Sequence, residues 1–250
     1  MGMKENRRQG PPSGLGAAGF MLREWLFPFG CASCGTALVG REESRYGLCP
    51  ACLAEMEDAG PGPGDACCGR CGRPLVSERG LCLSCRTAGD GPPDRTVALF
   101  PYSGICRKVL AAYKFGGNLA PGNFFAEKVL AALRSLEPGP GETALVPVPP
   151  RPGKIREAGW DQVEHLARLL EAHVPVRRCL RRLPSESQKR LGREGRRTNL
   201  RGRIVPVSGP PGTAVLLDDV MTSGATFGAC AAALREAGAD RVLALCLCYD

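Results

Sequence analysis

The spacing of apolar positions changes along this chain, and the change divides it in two. From residue 96 onward, short apolar runs alternate with longer amphipathic stretches. Residues 96–100 read as a strand, 105–115 and 123–136 as helices, and 143–148 as a buried strand. A helix is expected over about 160–172, followed by an irregular basic stretch. Val215-Leu216-Leu217 belongs to another strand, 227–237 to a helix, and 240–248 to a last apolar strand. Alternating strands and helices predict an α/β fold, with a mainly parallel sheet flanked by helices and ligands at the strands' carboxyl ends. Before residue 94 that alternation is missing, and Gly and Pro punctuate the chain at 60–64 and 88–93. The expected organisation is a disordered tail over 1–16, a small module over 17–88 and a larger domain over 94–250. A short apolar helix over 20–29, carrying Leu22, Trp25, Leu26 and Phe29, would dock on one of the two.

At 250 residues the chain is long enough for one medium domain with its own core plus a small module. No apolar run approaches the length of a membrane span. Lys4, Arg7 and Arg8 precede a weak, Gly-rich stretch interrupted by Arg23 and Glu24, which is not the form of a secretion signal. A cytoplasmic protein without membrane insertion is expected.

Fourteen cysteines would be unusual there as disulfides, but their spacing gives another reading. Cys31-x2-Cys34 is followed after fourteen residues by Cys49-x2-Cys52, and Cys68-x2-Cys71 after ten by Cys82-x2-Cys85. Each Cys-x2-Cys pair places two thiolates on one tight turn, and Gly35 and Gly72 permit a left-handed backbone after two of them. Two four-cysteine sets predict a double zinc ribbon with two structural ions. Eight thiolate ligands leave neither ion an open position for catalysis, and with few apolar residues here the metal supplies most of the folding energy. Disulfide pairing is the alternative, and the missing secretion signal argues against it. Cys67, next to Cys68, leaves the ligand choice ambiguous by one residue. Cys106, Cys230, Cys246 and Cys248 suit small core positions, and Cys179 a plain thiol.

The chemistry of the larger domain concentrates in residues 215–226. The apolar run ends in Asp218-Asp219 and passes through Val220 and Met221 into Thr222-Ser223-Gly224-Ala225-Thr226, which opens a helix. Backbone N–H groups, hydroxyls and a helix N-terminus suit a phosphate, while carboxylates accept hydrogen bonds from a diol or help hold a divalent cation. A buried strand with an acidic turn is the simpler alternative. A ligand with a phosphate beside a ribose diol satisfies both ends, and phosphoribosyl pyrophosphate (PRPP) is one. The twelve residues resemble the PRPP-binding motif of type I phosphoribosyltransferases, which implies Mg²⁺ bound with the ligand.

Across nearly its whole length the chain resembles the ComF family, which is associated with natural competence and the handling of incoming DNA. The resemblance rests on the apolar segment ending in Phe27-Pro28, the two cysteine sets and the PRPP-like motif. Tyr113-Lys114-Phe115-Gly116-Gly117, Val146-Pro147-Val148-Pro149-Pro150, Gly159-Trp160-Asp161-Gln162, Gln188 and Arg196-Arg197-Thr198-Asn199 follow the family's order. It implies a type I phosphoribosyltransferase-like domain, with the loop at Pro149 where pyrophosphate binds. Ala158 and Asp161 depart from the family's Arg and Asn; one removes a pyrophosphate contact and the other adds a negative charge, with Arg156 the nearest remaining base.

Residues 177–203 hold eleven basic side chains against Glu186 and Glu194, a net charge of +9 in a chain of +8. Such a stretch suits a nucleic-acid backbone or a polyphosphate. It lacks aromatic residues for base stacking. A hood over PRPP and a solvated face are the alternatives, and Arg193, Arg196 and Arg197 are the candidate contacts. His165 and His173 share one predicted helix and suit surface or packing roles, and no phosphate-binding Gly-Lys-Ser/Thr loop of a nucleotide-driven motor is present. Two functions follow. One is a competence protein with a PRPP site, partnered by single-stranded DNA and other competence proteins. The other is a transferase moving phosphoribose to a nitrogenous acceptor. In the transferase, Asp218 and Asp219 would hold ribose hydroxyls and residues 222–226 the 5′-phosphate, while Lys114 or the residues around Pro149 would assist the departing pyrophosphate.

Overall fold

The computed structural model describes residues 30–61, 66–86, 93–136, 141–184 and 202–250. The tail over 1–16, the helix expected over 20–29, Gln188 and the Arg193, Arg196 and Arg197 cluster lie outside the described residues.

Four strands form one sheet in the order β1 (Arg95–Pro101), β6 (Arg241–Tyr249), β5 (Thr213–Met221) and β2 (Thr143–Pro147), every pairing parallel. The fold is α/β, as the alternating pattern predicts. Side chains on β5 alternate between two cores: Val215 and Leu217 face one side, Ala214 and Leu216 the other. Helices α4 (Gly104–Phe115), α5 (Pro121–Ser135) and α7 (Gln162–Leu170) fill the first core through Leu110, Phe125 and Leu166. Helix α8 (Ala225–Glu236) fills the second with Phe227, Cys230 and Leu234. Each helix buries residues three and four apart, one apolar stripe per helix.

The chain runs from β1 at one edge to β2 at the other, then returns through β5 to β6. The helix after β5 covers one face, and α7, which follows β2, covers the opposite face. Adjacent parallel strands whose connections leave to opposite faces open a crevice at their carboxyl ends, the usual ligand position in such sheets. The register marks it: β2 pairs β5 as far as Pro147↔Leu217, and Val148 N–H still donates to the Leu217 carbonyl at 2.9 Å.

The basic stretch is less irregular at its ends than the sequence suggests. Leu180–Arg182 (β3) and Ile204–Pro206 (β4) form a short antiparallel pair. Surface ion pairs hold its start: Arg177 meets Glu142 at 2.8 Å, and Arg178 meets Glu171 at 2.5 Å and Glu164 at 2.9 Å. A five-residue helix, α6 (Lys154–Ala158), precedes α7. No described helix is long and apolar enough to cross a membrane.

The cysteine-rich segment carries α1 (Arg41–Tyr46), α2 (Pro50–Asp58) and α3 (Leu83–Arg86). Its first half shares the sheet domain's core: Leu38, Leu48 and Met56 are buried with Phe100 and Phe124. Tyr46 stacks edge-on against Phe124 and donates to Glu127 at 2.7 Å. The second half lies along β1. Gly35 (φ +78°) and Gly72 (φ +70°) both adopt the left-handed conformation expected after their Cys-x2-Cys pairs. They differ in surroundings. A Cβ at Gly72 would stand 2.6 Å from the Thr96 carbonyl oxygen and 2.9 Å from Ala98 N, whereas one at Gly35 meets nothing within 4 Å. Gly35→Ala is therefore expected to cost only the backbone term, about 1–2 kcal/mol. Gly72→Ala adds a backbone clash and is expected to cost more, or to undock this half from β1. Urea denaturation of the two zinc-loaded variants checks the order.

Candidate functional site

Two features hold the residues singled out in the sequence. The first is the pair of cysteine sets. In Cys31, Cys34, Cys49 and Cys52, and again in Cys68, Cys71, Cys82 and Cys85, the sulfur atoms lie within 4.8 Å of one another. Four thiolates around zinc at about 2.3 Å stand about 3.8 Å apart at the corners of a tetrahedron. The Cys34–Cys49 and Cys71–Cys82 sulfurs are each 3.7 Å apart, so both sets fit that ion. Cys82 N–H donates to Cys68 Sγ at 3.3 Å, which favours the thiolate. Burial pushes the Cys68 thiol up, but backbone donors, Cys82 first, outweigh it and bring it down to about 6. Hydrogen bonding to Thr36 brings Cys34 to about 6, while burial pushes Cys52 up to about 12. Cys68 belongs to the second set and Cys67, exposed on a bridge to Pro74, does not. The remaining cysteines are buried, Cys179 included, so that residue is part of the core beneath α8.

The second feature is the crevice beside β5. Lys114, at the end of α4, reaches Asp219 Oδ2 at 2.6 Å. Gln162 Nε2 donates to the same oxygen, and its Oε1 accepts from Lys154 Nζ. Lys154 in turn pairs with Asp161 at 2.5 Å. Lys114, Asp219, Gln162, Lys154 and Asp161 thus form one chain of alternating donors and acceptors. Asp161 is also the N-cap of α7, its Oδ1 accepting from Val163 N–H at 3.0 Å and Glu164 N–H at 2.9 Å. The negative charge that Asp161 introduces is therefore met inside the fold by Lys154 and the helix N-terminus. Tyr113 donates to the Gln162 carbonyl at 3.0 Å and lies 2.8 Å from His165 Nδ1, fixing the start of α7. His165 packs there, its imidazole lowered by burial and then by Arg168, and His173 is exposed.

Asp218 and Asp219 do not act as a matched pair. Strand β5 continues through both, and their side chains interact directly, but their surroundings differ. Asp219 is buried on the α4 and α7 side. Burial raises its carboxyl, but Lys114, by charge and hydrogen bond, and then Gln162 bring it below the usual carboxylate range. Asp218, partly exposed, is held well above that range by desolvation first and by the Asp219 charge second. Its charge is felt by Cys230 and Cys246 on the α8 side. Beyond the end of β2 the carboxylates bond backbone: Asp218 Oδ1 accepts from Asp219 N–H at 2.8 Å, and Asp219 Oδ1 from Val220 N–H at 2.7 Å. Thr222 is exposed, Ser223 to Thr226 are half-buried, and α8 opens at Ala225. Lys114 is thus brought to Asp219, with the Thr222–Thr226 loop following on the same strand.

A cavity of about 400 Å³ lies between the loop after β2 and β3, walled by Pro149, Pro150 and Leu180 and rimmed by Arg151, Arg156, Arg181 and Arg182. Arg151 is paired with Glu157 at 2.5 Å. In the sequence Gln162 is a letter of one motif and Arg181–Arg182 part of the basic stretch, whereas Lys154 belongs to neither. A signal for α7 was present, since Asp161-x-x-Glu164 preceding an apolar stripe is a helix-start pattern. For Lys154 there was none.

Residues 22–86 match the family model of the double zinc ribbon domain. With the sulfur geometry, this supports a zinc-binding module of two four-cysteine sites. No curated protein matches the chain.

Proposed function

We propose that the sheet domain binds PRPP with Mg²⁺ and that the chain is a ComF-like protein serving natural competence, its zinc ribbons structural. The observation that carries the ligand reading is the Lys114–Asp219–Gln162 cluster, set in a crevice where the sheet's connections diverge and followed directly by the Thr222–Thr226 loop. The loop would take the 5′-phosphate, the two carboxylates the ribose hydroxyls and Mg²⁺, and Lys114 the pyrophosphate. The competence role rests on the order of motifs in the sequence. It implies cytoplasmic placement and partners among single-stranded DNA and other competence proteins.

Asp218 favours phosphoribosyl transfer as a second reading. A carboxyl raised by desolvation at a crevice holds a proton more firmly than an ordinary carboxylate and is suited to accept one from the acceptor. In that reaction the ribose C1–O bond to pyrophosphate breaks, a C1–N bond to the acceptor forms, and the acceptor's proton leaves.

Calorimetry of PRPP with Mg²⁺ tests the site, and pyrophosphate release across nitrogenous bases tests the transfer. The competence reading predicts binding of single-stranded DNA that weakens steeply with salt and varies little with sequence. Changing Arg193, Arg196 and Arg197 to Gln should then flatten the salt slope by roughly one unit or slightly less per lost contact. Weakened PRPP with DNA binding intact would instead make the segment a hood over the ligand and count against the DNA role.

A further inference from the structure

Phe115 is 76% exposed, and no other Phe, Tyr or Trp among the described residues is exposed. It ends α4, whose apolar stripe, Cys106, Val109, Leu110 and Tyr113, is buried on the sheet. Two residues beyond Tyr113 the helix has turned more than half a circle, so Phe115 stands away from that core. Nothing in the packing of α4 requires an aromatic ring there, and a solvated helix end ordinarily carries a polar side chain.

Its surroundings keep the ring accessible and placed. Lys114 Nζ lies 5.7 Å from the Phe115 ring centroid and 2.6 Å from Asp219 Oδ2, so the ring stands one side chain away from the crevice carboxylate. Gly116 and Gly117 follow, and no side chain of theirs covers it. A Cβ at Gly116 would meet the Ala112 carbonyl oxygen at 2.7 Å, so the helix end itself selects glycine. The segment beyond is tied down: Ala120 N–H donates to Asn118 Oδ1 at 3.2 Å, and a Cβ at Gly47 of the first ribbon would stand 2.9 Å from Ala120 Cβ. Buried Tyr113 on one side and the seated Ala120 on the other hold the Phe115 backbone.

We infer that Phe115 is a stacking platform for the planar ring of the ligand bound in this crevice, a nitrogen heterocycle of the nucleobase class. The inference rests on the phosphoribose-binding reading above and adds the chemistry of the group attached to, or destined for, the ribose C1. An exposed ring face favours any planar π-system and makes no hydrogen-bond demand, so the platform selects flat rings over sugars without selecting among bases.

The test compares ribose 5-phosphate with AMP, GMP, CMP and UMP, each with Mg²⁺, on zinc-loaded full-length protein. The best of the four nucleotides is expected to bind roughly tenfold or more tighter than ribose 5-phosphate, the range of base–aromatic stacking. Phe115→Ala should abolish that advantage, leaving ribose 5-phosphate affinity and the melting temperature unchanged. Phe115→Trp should keep it, and its fluorescence should be quenched by nucleotide and not by ribose 5-phosphate. Equal affinity for nucleotide and ribose 5-phosphate in the unmutated protein, or an advantage that survives Phe115→Ala, overturns the platform while leaving the phosphoribose site standing. If neither these probes nor PRPP binds, the phosphoribose reading itself fails and the platform with it.

Discussion

Stripping the metal from the two cysteine sets is expected to unfold the cysteine-rich segment and to destabilise the sheet domain as well. Elemental analysis of the reduced protein should find about two zinc ions per chain, one for each set. Structural zinc contributes about 10–16 kcal/mol in small zinc modules, as much as or more than the whole stability of an ordinary domain, about 5–15 kcal/mol. The two sets should not count equally. Leu38, Leu48 and Met56 of the first half are buried in the same cluster as Phe100 and Phe124, whereas the second half contributes the partly buried Cys71 to the other core. Each of those three side chains contributes roughly 1.5–3 kcal/mol through burial. Cys49→Ser should therefore lower the melting temperature of the sheet domain by more than Cys82→Ser does. Thermal denaturation followed by tryptophan fluorescence checks the order, since Trp160 packs against Tyr113 in the sheet domain's core. Protein without zinc and with its cysteines joined as disulfides would sink the ribbon reading.

The sheet strands and the longer helices were legible because each spans at least one full period of burial. Strands β3 and β4 were not: three residues each is too short for alternation to register, and eleven basic residues nearby mask what pattern exists. The zinc sets were legible almost completely, since tetrahedral thiolate coordination imposes local spacing. The crevice was legible only in part. Lys114 and Asp219 both stood out, but they are 105 positions apart, and only the order of strands in the sheet brings them together. The unlike surroundings of Asp218 and Asp219 were hidden for another reason. Two adjacent aspartates look alike in the sequence, whereas the fold sets the Lys114 and Gln162 hydrogen bonds on Asp219. Phe115 was visible as a letter in a motif, but its exposure depends on where the stripe of α4 meets the sheet.

Replacing the two carboxylates one at a time is expected to change stability in opposite directions while weakening PRPP binding in both cases. Asp219→Asn leaves the Lys114 ammonium facing a neutral amide in a mostly buried position, and should cost roughly 1–3 kcal/mol. The Asp219 carboxyl lies below its unfolded value, so its contribution is complete above the ordinary carboxylate range and lost as pH falls through the lowered one. The gap between unmutated protein and Asp219→Asn should thus close in acid. Asp218 has the reverse sign. Its raised carboxyl favours the protonated form in the fold, so its contribution is present below the ordinary range and lost as pH rises through the raised one. Asp218→Asn keeps an acceptor for the Asp219 N–H and removes the desolvated charge. It should match the unmutated protein in acid and become the more stable of the two at neutral pH. Each substitution deletes a charged acceptor for a ribose hydroxyl or the metal, so PRPP affinity should fall about tenfold or more in each. Denaturation curves across pH, with calorimetry on the same proteins, separate the outcomes. Loss of PRPP affinity in a variant more stable than its parent is a result that damage to the fold cannot produce, whereas unchanged affinity in both variants would remove this crevice from consideration as the ligand site.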